Sequence, residues 1–105
     1  MTTFADNLRQ MPDIAHLAEL QLIDATGQVV ARIENKPGKA GSLAVYHALA
    51  VQHGNINPTA AQQGLLLFAE HTASARQQPG SHPNIDRLFD IIASGHVFGV
   101  RLIPA

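Results

Sequence analysis

Two stretches near the N-terminus alternate apolar and polar residues, which is the pattern of half-buried β-strands. They cover residues 17–25 and 28–34, and Thr26-Gly27 lies between them as a two-residue turn. Such a turn fixes the register, because a slip of one residue would move one apolar set to the other face. The resulting register pairs apolar with apolar: Leu22 with Ala31, and Leu20 with Ile33.

The pattern then changes to a helical one. Thr3 caps a short first helix that ends before Pro12, and Ser42 caps a second that is apolar almost all round and ends at Gly54. Asn57-Pro58 begins a long helix that runs to about residue 78. A fourth helix begins between residues 81 and 84 and ends at Gly95, and residues 96–103 alternate again as a last strand.

This order predicts one α+β domain over residues 1–105, with the topology α-β-β-α-α-α-β. Short connections reverse the chain direction at each step, so the last strand is antiparallel to the first. We expect a three-stranded sheet of order 2-1-3 with helices packed on one face. The predicted core is Leu20, Leu22, Ile33, Leu49, Leu65, Phe68, Leu88, Phe89, Val100 and Leu102. Gly64 allows the second helix to approach the long one closely.

The hairpin register also places Glu19 opposite Glu34 on the polar face of the sheet. Like charges directly opposed are mildly unfavourable, so a cation should lie nearby. Arg101 on the last strand is the expected partner.

Composition agrees with a single small core. Of the 105 residues 46% are hydrophobic and 14% charged, and there is no cysteine, which excludes disulfides and thiolate metal sites. The N-terminus does not resemble a signal peptide, and no apolar run is long enough to span a membrane. We therefore expect a cytoplasmic protein. The net charge of −1 gives no basic excess for nucleic acid, so nucleic acid is not an expected partner.

The connection from residue 35 to residue 42 carries the strongest candidate chemistry. It reads Asn-Lys-Pro-Gly-Lys-Ala-Gly-Ser and enters the second helix. Alternating directions bring the connection before the fourth helix to the same end of the domain. Helix N-termini, glycine-rich turns and cations favour an anion there. The expected ligand-binding residues are Asn35, Lys36, Gly38, Lys39, Gly41, Ser42, Arg76 and His82. Protonation of His82 should strengthen the binding at lower pH.

Other interpretations remain open. The same connection is explained by turn geometry and solubility alone, because its order matches neither a Walker A loop nor a dinucleotide motif. Tyr46 and His47, one turn further on, either line such a pocket or belong to the edge of the core. No histidine or carboxylate spacing predicts a metal site. Glu70, His71 or His82 would serve an enzyme, but no nucleophile accompanies them.

A homodimer is the alternative function. The second and third strands are both sheet edges, which can recruit another strand. The outer sheet face is partly apolar at Ile23, Val30, Val97 and Ile103, and Leu67 adds to the exposed apolar surface.

Three motifs resemble those of a family of small bacterial proteins of about this length and of unknown function. They cover residues 33–47, Ala69-Glu70-His71-Thr72, and residues 82–88. The resemblance implies a bacterial source and brings no activity, cofactor or catalytic residue with it. The sequence names neither the ligand nor the partner.

Overall fold

The computed structural model describes residues 2–105, as five helices and three strands. The helices are α1 (Phe4–Leu8), α2 (Ala40–His53), α3 (Pro58–Leu67), α4 (Glu70–Gln77) and α5 (Pro83–Ser94). The strands are β1 (Leu17–Ile23), β2 (Val29–Glu34) and β3 (Gly99–Pro104). Across residues 2–105, no helix is both long and apolar enough to cross a membrane.

The strands form one antiparallel sheet of order β2-β1-β3, with β1 in the centre. Helix α2 lies against β1 and β2, and α3 packs on both α2 and α5. The predicted α+β architecture, strand order and strand directions are thereby confirmed.

The hairpin register is also confirmed, because Leu20 faces Ile33 and Leu22 faces Ala31. The turn is wider than the two residues predicted, however. The pairing shifts after Leu22, and the Asp24 carboxylate accepts hydrogen bonds from the backbone N–H of Thr26 at 2.9 Å and of Gln28 at 3.0 Å. A side chain that satisfies two backbone donors stabilises the wider turn.

The helix predicted for residues 57–78 is divided into α3 and α4, so its predicted extent is wrong. Asn57 caps α3 as expected, since its side chain accepts from the Ala60 N–H. The interruption lies at Ala69, where φ is 52° and ψ is −120°. The Thr72 hydroxyl donates to the Leu65 carbonyl at 2.6 Å and satisfies a backbone acceptor at the break.

Helix α2 begins earlier than the sequence suggested. Its N-cap is Lys39, which supplies no capping side chain, and Ser42 lies within the first turn. The expectation that Ser42 caps this helix is therefore wrong. The left-handed residue that ends α2 is Gly54, as predicted.

The core lies between β1, β2 and the helices. Six of the predicted core residues are buried: Leu20, Leu22, Ile33, Leu49, Phe68 and Leu88. Leu65, Phe89 and Val100 are half-buried. Leu102 is 39% exposed, so its predicted burial is wrong. The helices pack on β1 and β2. The face of β3 that carries Leu102 is left exposed.

Glu19 and Glu34 face each other across the hairpin as predicted. The cations near them come from β2 and the following loop, however. Arg32 lies 3.4 Å from Glu19, and Lys36 lies 2.9 Å from Glu34. Arg101 lies opposite Gln21, so the prediction that it serves Glu19 is wrong.

Candidate functional site

A cavity of about 700 Å³ lies between the N-terminal turns of α2 and α5. Helix α1, strand β2 and the junction of α3 and α4 complete its walls. The cavity therefore lies at the end of the domain where the sequence predicts the candidate site.

The α2 side of the cavity is formed by a tight turn. The backbone N–H groups of Lys39 and Ala40 both donate to the Lys36 carbonyl at 2.9 Å, and Gly38 adopts a φ of 85° that favours glycine. Among the described residues, the N–H groups of Gly41 and Ser42 meet no acceptor. Both residues line the cavity, so this helix presents two free donors there.

The α5 side repeats this arrangement. His82 is the N-cap and forms no side-chain cap, and Pro83 occupies the first turn. The Asn84 N–H has no acceptor within residues 2–105. The positive ends of two helices thus lie at one cavity, where each favours negative charge.

Arg87 projects from the second turn of α5. Its Nη1 donates to the Asn84 side-chain oxygen at 2.9 Å and to the Tyr46 hydroxyl at 3.2 Å, and the guanidinium lies 5.7 Å from the centre of the Tyr46 ring. These partners are neutral, and within the described chain Arg87 forms no ion pair. The charge of Arg87 is therefore left without a carboxylate.

Tyr46 is fully buried beneath this arginine. Burial raises the pKa of Tyr46 to about 12, although the neighbouring charge of Arg87 opposes the shift. The hydroxyl stays protonated at neutral pH, and it donates to the Asn84 carbonyl. Tyr46 thus connects α2 to the first turn of α5.

Two histidines, His71 and His82, line the cavity. The ring centres of His71 and His82 are 5.8 Å apart, and Nε2 of His82 lies 3.2 Å from the Ser74 hydroxyl.

Two stacked phenylalanine rings adjoin the histidines. The Phe4 ring stacks on Phe68 with centres 5.5 Å apart and contacts the edge of His71 at 5.0 Å. Glu70 holds Phe4 in place, because its carboxylate accepts from the Phe4 N–H at 2.8 Å. That hydrogen bond is the main reason why the pKa of Glu70 is lowered. Glu70 therefore anchors α1, and its geometry does not favour acid–base chemistry.

The residues named from sequence fall into two groups. Gly38, Lys39, Gly41, Ser42 and His82 line the cavity together.

The other three lie outside the lining. The Asn35 amide donates to the Ile14 and Leu17 carbonyls at 3.0 and 2.8 Å, a structural role. Lys36 is paired with Glu34. The Arg76 guanidinium lies 5.0 Å from the centre of the Phe89 ring, in a separate cavity of about 480 Å³.

The charge of the lining is one-sided. It contains Arg32, Lys39 and Arg87 together with the two histidines, and among the described residues it contains no carboxylate. Two of the cations are shared with carboxylates outside the lining: Arg32 with Glu19, and Lys39 with Glu34 at 3.6 Å. Within residues 2–105, no group of three or more histidines and carboxylates is arranged to hold a metal ion. The arrangement suits an anion.

Sequence reasoning did not name Phe4, His71 or Arg87 as ligand-binding residues. The available signal for Arg87 was its position three residues after Asn84 on the predicted fourth helix, which allows the two side chains to meet. Phe4 gave no such signal, because its contacts with Phe68 and His71 join segments far apart in the chain.

Comparison with known proteins identifies a family. The family model described as "Uncharacterized protein conserved in bacteria (DUF2322)" matches residues 4–102. The match covers all three motifs on which the resemblance to a small bacterial family rested, and that resemblance is confirmed. No curated protein and no solved structure matches the chain.

Proposed function

The chain belongs to this family of uncharacterized bacterial proteins, and on that premise we propose that it binds the anionic group of a phosphorylated small molecule in the cavity between α2 and α5. It acts as a small binding or accessory protein.

The main support for the proposal is that Arg87 has no carboxylate partner. A half-buried guanidinium whose partners are the neutral groups of Tyr46 and Asn84 has lost part of its hydration without gaining a counter-charge. Guanidinium groups bind phosphate and carboxylate oxygens in a two-pronged geometry. An anion in the cavity would supply the missing counter-charge.

The two helix N-termini support the same conclusion. The free N–H groups of Gly41, Ser42 and Asn84 lie on the cavity lining, and backbone donors at helix starts are common ligands of phosphate. Lys39 adds a mobile charge at the rim, where its exposed pair with Glu34 is weak.

Isothermal titration calorimetry with inorganic phosphate tests the proposal. Arg87→Gln should weaken binding about tenfold or more, because it removes charge-assisted hydrogen bonds. Lys39→Gln should weaken it by a smaller factor. Arg87→Lys keeps the charge but loses the two-pronged geometry, so its affinity should lie between those of the parent and of Arg87→Gln.

Arg76→Gln and Lys36→Gln are matched controls, since both remove a cation outside the cavity lining. Both should bind phosphate like the parent. Circular dichroism on each free variant checks that it is folded. Equal phosphate affinity in the folded Arg87→Gln variant and the parent would contradict the proposal.

A homodimer through β3 is the second candidate. This strand is a sheet edge, and Leu102 is exposed on the face that it shares with the buried Leu20. A second copy that pairs with the edge would cover that leucine. Sedimentation equilibrium should then show a dimer that Leu102→Glu dissociates. A monomer across a wide concentration range would exclude this candidate.

A further inference from the structure

The cavity is larger than an anionic group requires. Its volume of about 700 Å³ lies within the range of roughly 300–1,000 Å³ that is typical of sites for drug-sized ligands. Inorganic phosphate, with five heavy atoms, would leave most of it empty. The rest of the lining therefore indicates which chemical group the ligand carries besides its anionic group.

Another part of the lining is aromatic. Phe4 is half-buried and lines the cavity, and its ring stacks on that of Phe68, which lines the cavity as well. His71 meets the Phe4 ring edge-on, and His82 follows at 5.8 Å. Three ring-bearing side chains thus line one continuous wall.

This aromatic wall, formed by Phe4, His71 and His82, directly adjoins the anion-binding end. A Cβ atom placed on Gly41 would lie 3.0 Å from two carbon atoms of the Phe4 ring. Gly41 is also one of the residues with a free N–H at the start of α2. A ligand that reaches from the N–H donors to the aromatic wall therefore needs only a short linker between its anionic group and its apolar part.

Helix α1, which carries Phe4 and has only five residues, is held in place at two points. Phe4 is fixed by the hydrogen bond from its N–H to Glu70, and the Asn7 amide donates to the Leu67 carbonyl at 3.0 Å. A wall that is fixed in advance loses little conformational entropy when a flat ring stacks on it.

We infer that the ligand is a phosphate ester that carries a planar aromatic ring, of about the size of a nucleoside monophosphate. Its phosphate binds at Arg87, Lys39 and the two helix N-termini, and its ring stacks on the aromatic wall. This inference rests on the proposed function, because it names the ligand class of the same site.

Three probes separate the phosphate from the ring: inorganic phosphate, ribose 5-phosphate and adenosine monophosphate. Isothermal titration calorimetry should show that adenosine monophosphate binds the parent about fivefold or more tightly than ribose 5-phosphate, which is the lower range for stacking one base on an aromatic side chain. Phe4→Leu keeps an apolar side chain and removes the ring, so it should abolish most of that preference. Its affinity for ribose 5-phosphate should stay unchanged.

Phe89→Leu is the matched control. Phe89 is half-buried and lies in the separate cavity under Arg76, so this variant should keep the preference for adenosine monophosphate.

The outcomes distinguish the proposed phosphate binding from the inferred aromatic ring of the ligand. If none of the three probes binds, the proposed function fails. If the phosphates bind but adenosine monophosphate binds no more tightly than ribose 5-phosphate, the proposed function stands and the inferred ring is wrong. The inference is also overturned if Phe4→Leu, folded by circular dichroism, retains the full preference.

Discussion

The Tyr46 hydroxyl donates a 2.5 Å hydrogen bond to the Asn84 carbonyl oxygen. It joins the buried centre of α2 to the first turn of α5, and Arg87 donates to the same hydroxyl from the next turn. One fully buried side chain therefore connects the two helices whose N-termini border the cavity.

Replacing Tyr46 with Phe tests that role. The ring and its packing remain, but the Asn84 carbonyl and Arg87 each lose a partner. We expect a loss of about 1–2 kcal/mol in the free energy of unfolding, measured by urea denaturation. Phosphate affinity should also fall, because Arg87 and the N-terminal turn of α5 become less well positioned. Unchanged stability and affinity would show that the hydrogen bond has no structural importance.

Phe68→Ala tests the packing of the core. Phe68 is 3% exposed and supports the Phe4 ring. Its truncation leaves a cavity and should reduce the free energy of unfolding by about 3–5 kcal/mol. An alanine variant as stable as the parent in urea would contradict this packing.

The hairpin shows what a sequence alone can establish here. Its register follows from the alternation of Leu20 and Leu22 with Ala31 and Ile33, since a slip of one residue would expose an apolar set. The turn could not be derived in this way, because the wider turn is stabilised by hydrogen bonds that the Asp24 carboxylate accepts from the backbone. Patterns of period two specify faces but not the detailed path of a loop.

The division between α3 and α4 has no comparable signal. The residue at the break is alanine, which favours helix, and neither proline nor glycine lies next to it. The apolar pattern continues through the break. Ala69 adopts a positive φ, and two residues earlier the Leu67 carbonyl accepts a hydrogen bond from the Asn7 amide, which is remote in sequence. Local propensity predicts a continuous helix, and tertiary contacts override it.

The candidate site was predictable only in part, for the same reason. Alternating chain directions brought Lys39, Gly41 and His82 to one end of the domain. The chain directions do not show that Lys39 lines the cavity and Lys36 does not. Lys36 forms an ion pair with Glu34, and this pair depends on side-chain orientation. Arg76 was assigned to that end from a helix that is in fact divided.

Ala69→Gly tests whether the break is strained. A non-glycine residue at φ of 52° and ψ of −120° is unfavourable by roughly 1–3 kcal/mol. Glycine removes that penalty but gains freedom in the unfolded state, so we expect a net stabilisation of about 1 kcal/mol. Thermal unfolding measures the change. A lower melting temperature would show that the alanine methyl group stabilises the fold by more than the backbone strain destabilises it.

Gly64→Ala should act in the opposite direction. Helix α3 approaches α2 and α5 closely at this residue, and an added Cβ would lie 2.8 Å from a Leu88 methyl and 3.0 Å from a Leu49 methyl. Overpacking of this kind costs about 1–3 kcal/mol, which exceeds the gain of up to about 1 kcal/mol in helix propensity. Urea denaturation should therefore show a net loss. Equal or greater stability would mean that the two leucines move aside freely.

His47 links the stability of the fold to pH. The side chain is 6% exposed, its Nδ1 is buried without a partner among residues 2–105, and the His16 ring lies 5.9 Å away. Burial lowers the pKa of His47, and the neighbouring charge of His16 lowers it further. The folded state therefore resists a proton that the unfolded chain accepts below a pH of about 6.5.

The sign of the effect follows from proton uptake. Above the ordinary histidine range both states are neutral at His47, so the residue adds no pH dependence. As pH falls below about 6.5, the unfolded state binds more protons and the free energy of unfolding decreases, by at most about 1.4 kcal/mol per pH unit for one proton.

His47→Phe keeps a ring against His16 and removes the titration, so urea denaturation at pH 7.5 and pH 5 should show a smaller decrease in the free energy of unfolding than in the parent. His96→Gln, at an exposed position, is the control. Its free energy of unfolding should decrease between pH 7.5 and pH 5 by as much as that of the parent. A pH dependence that is identical in His47→Phe and the parent would show that other groups are responsible.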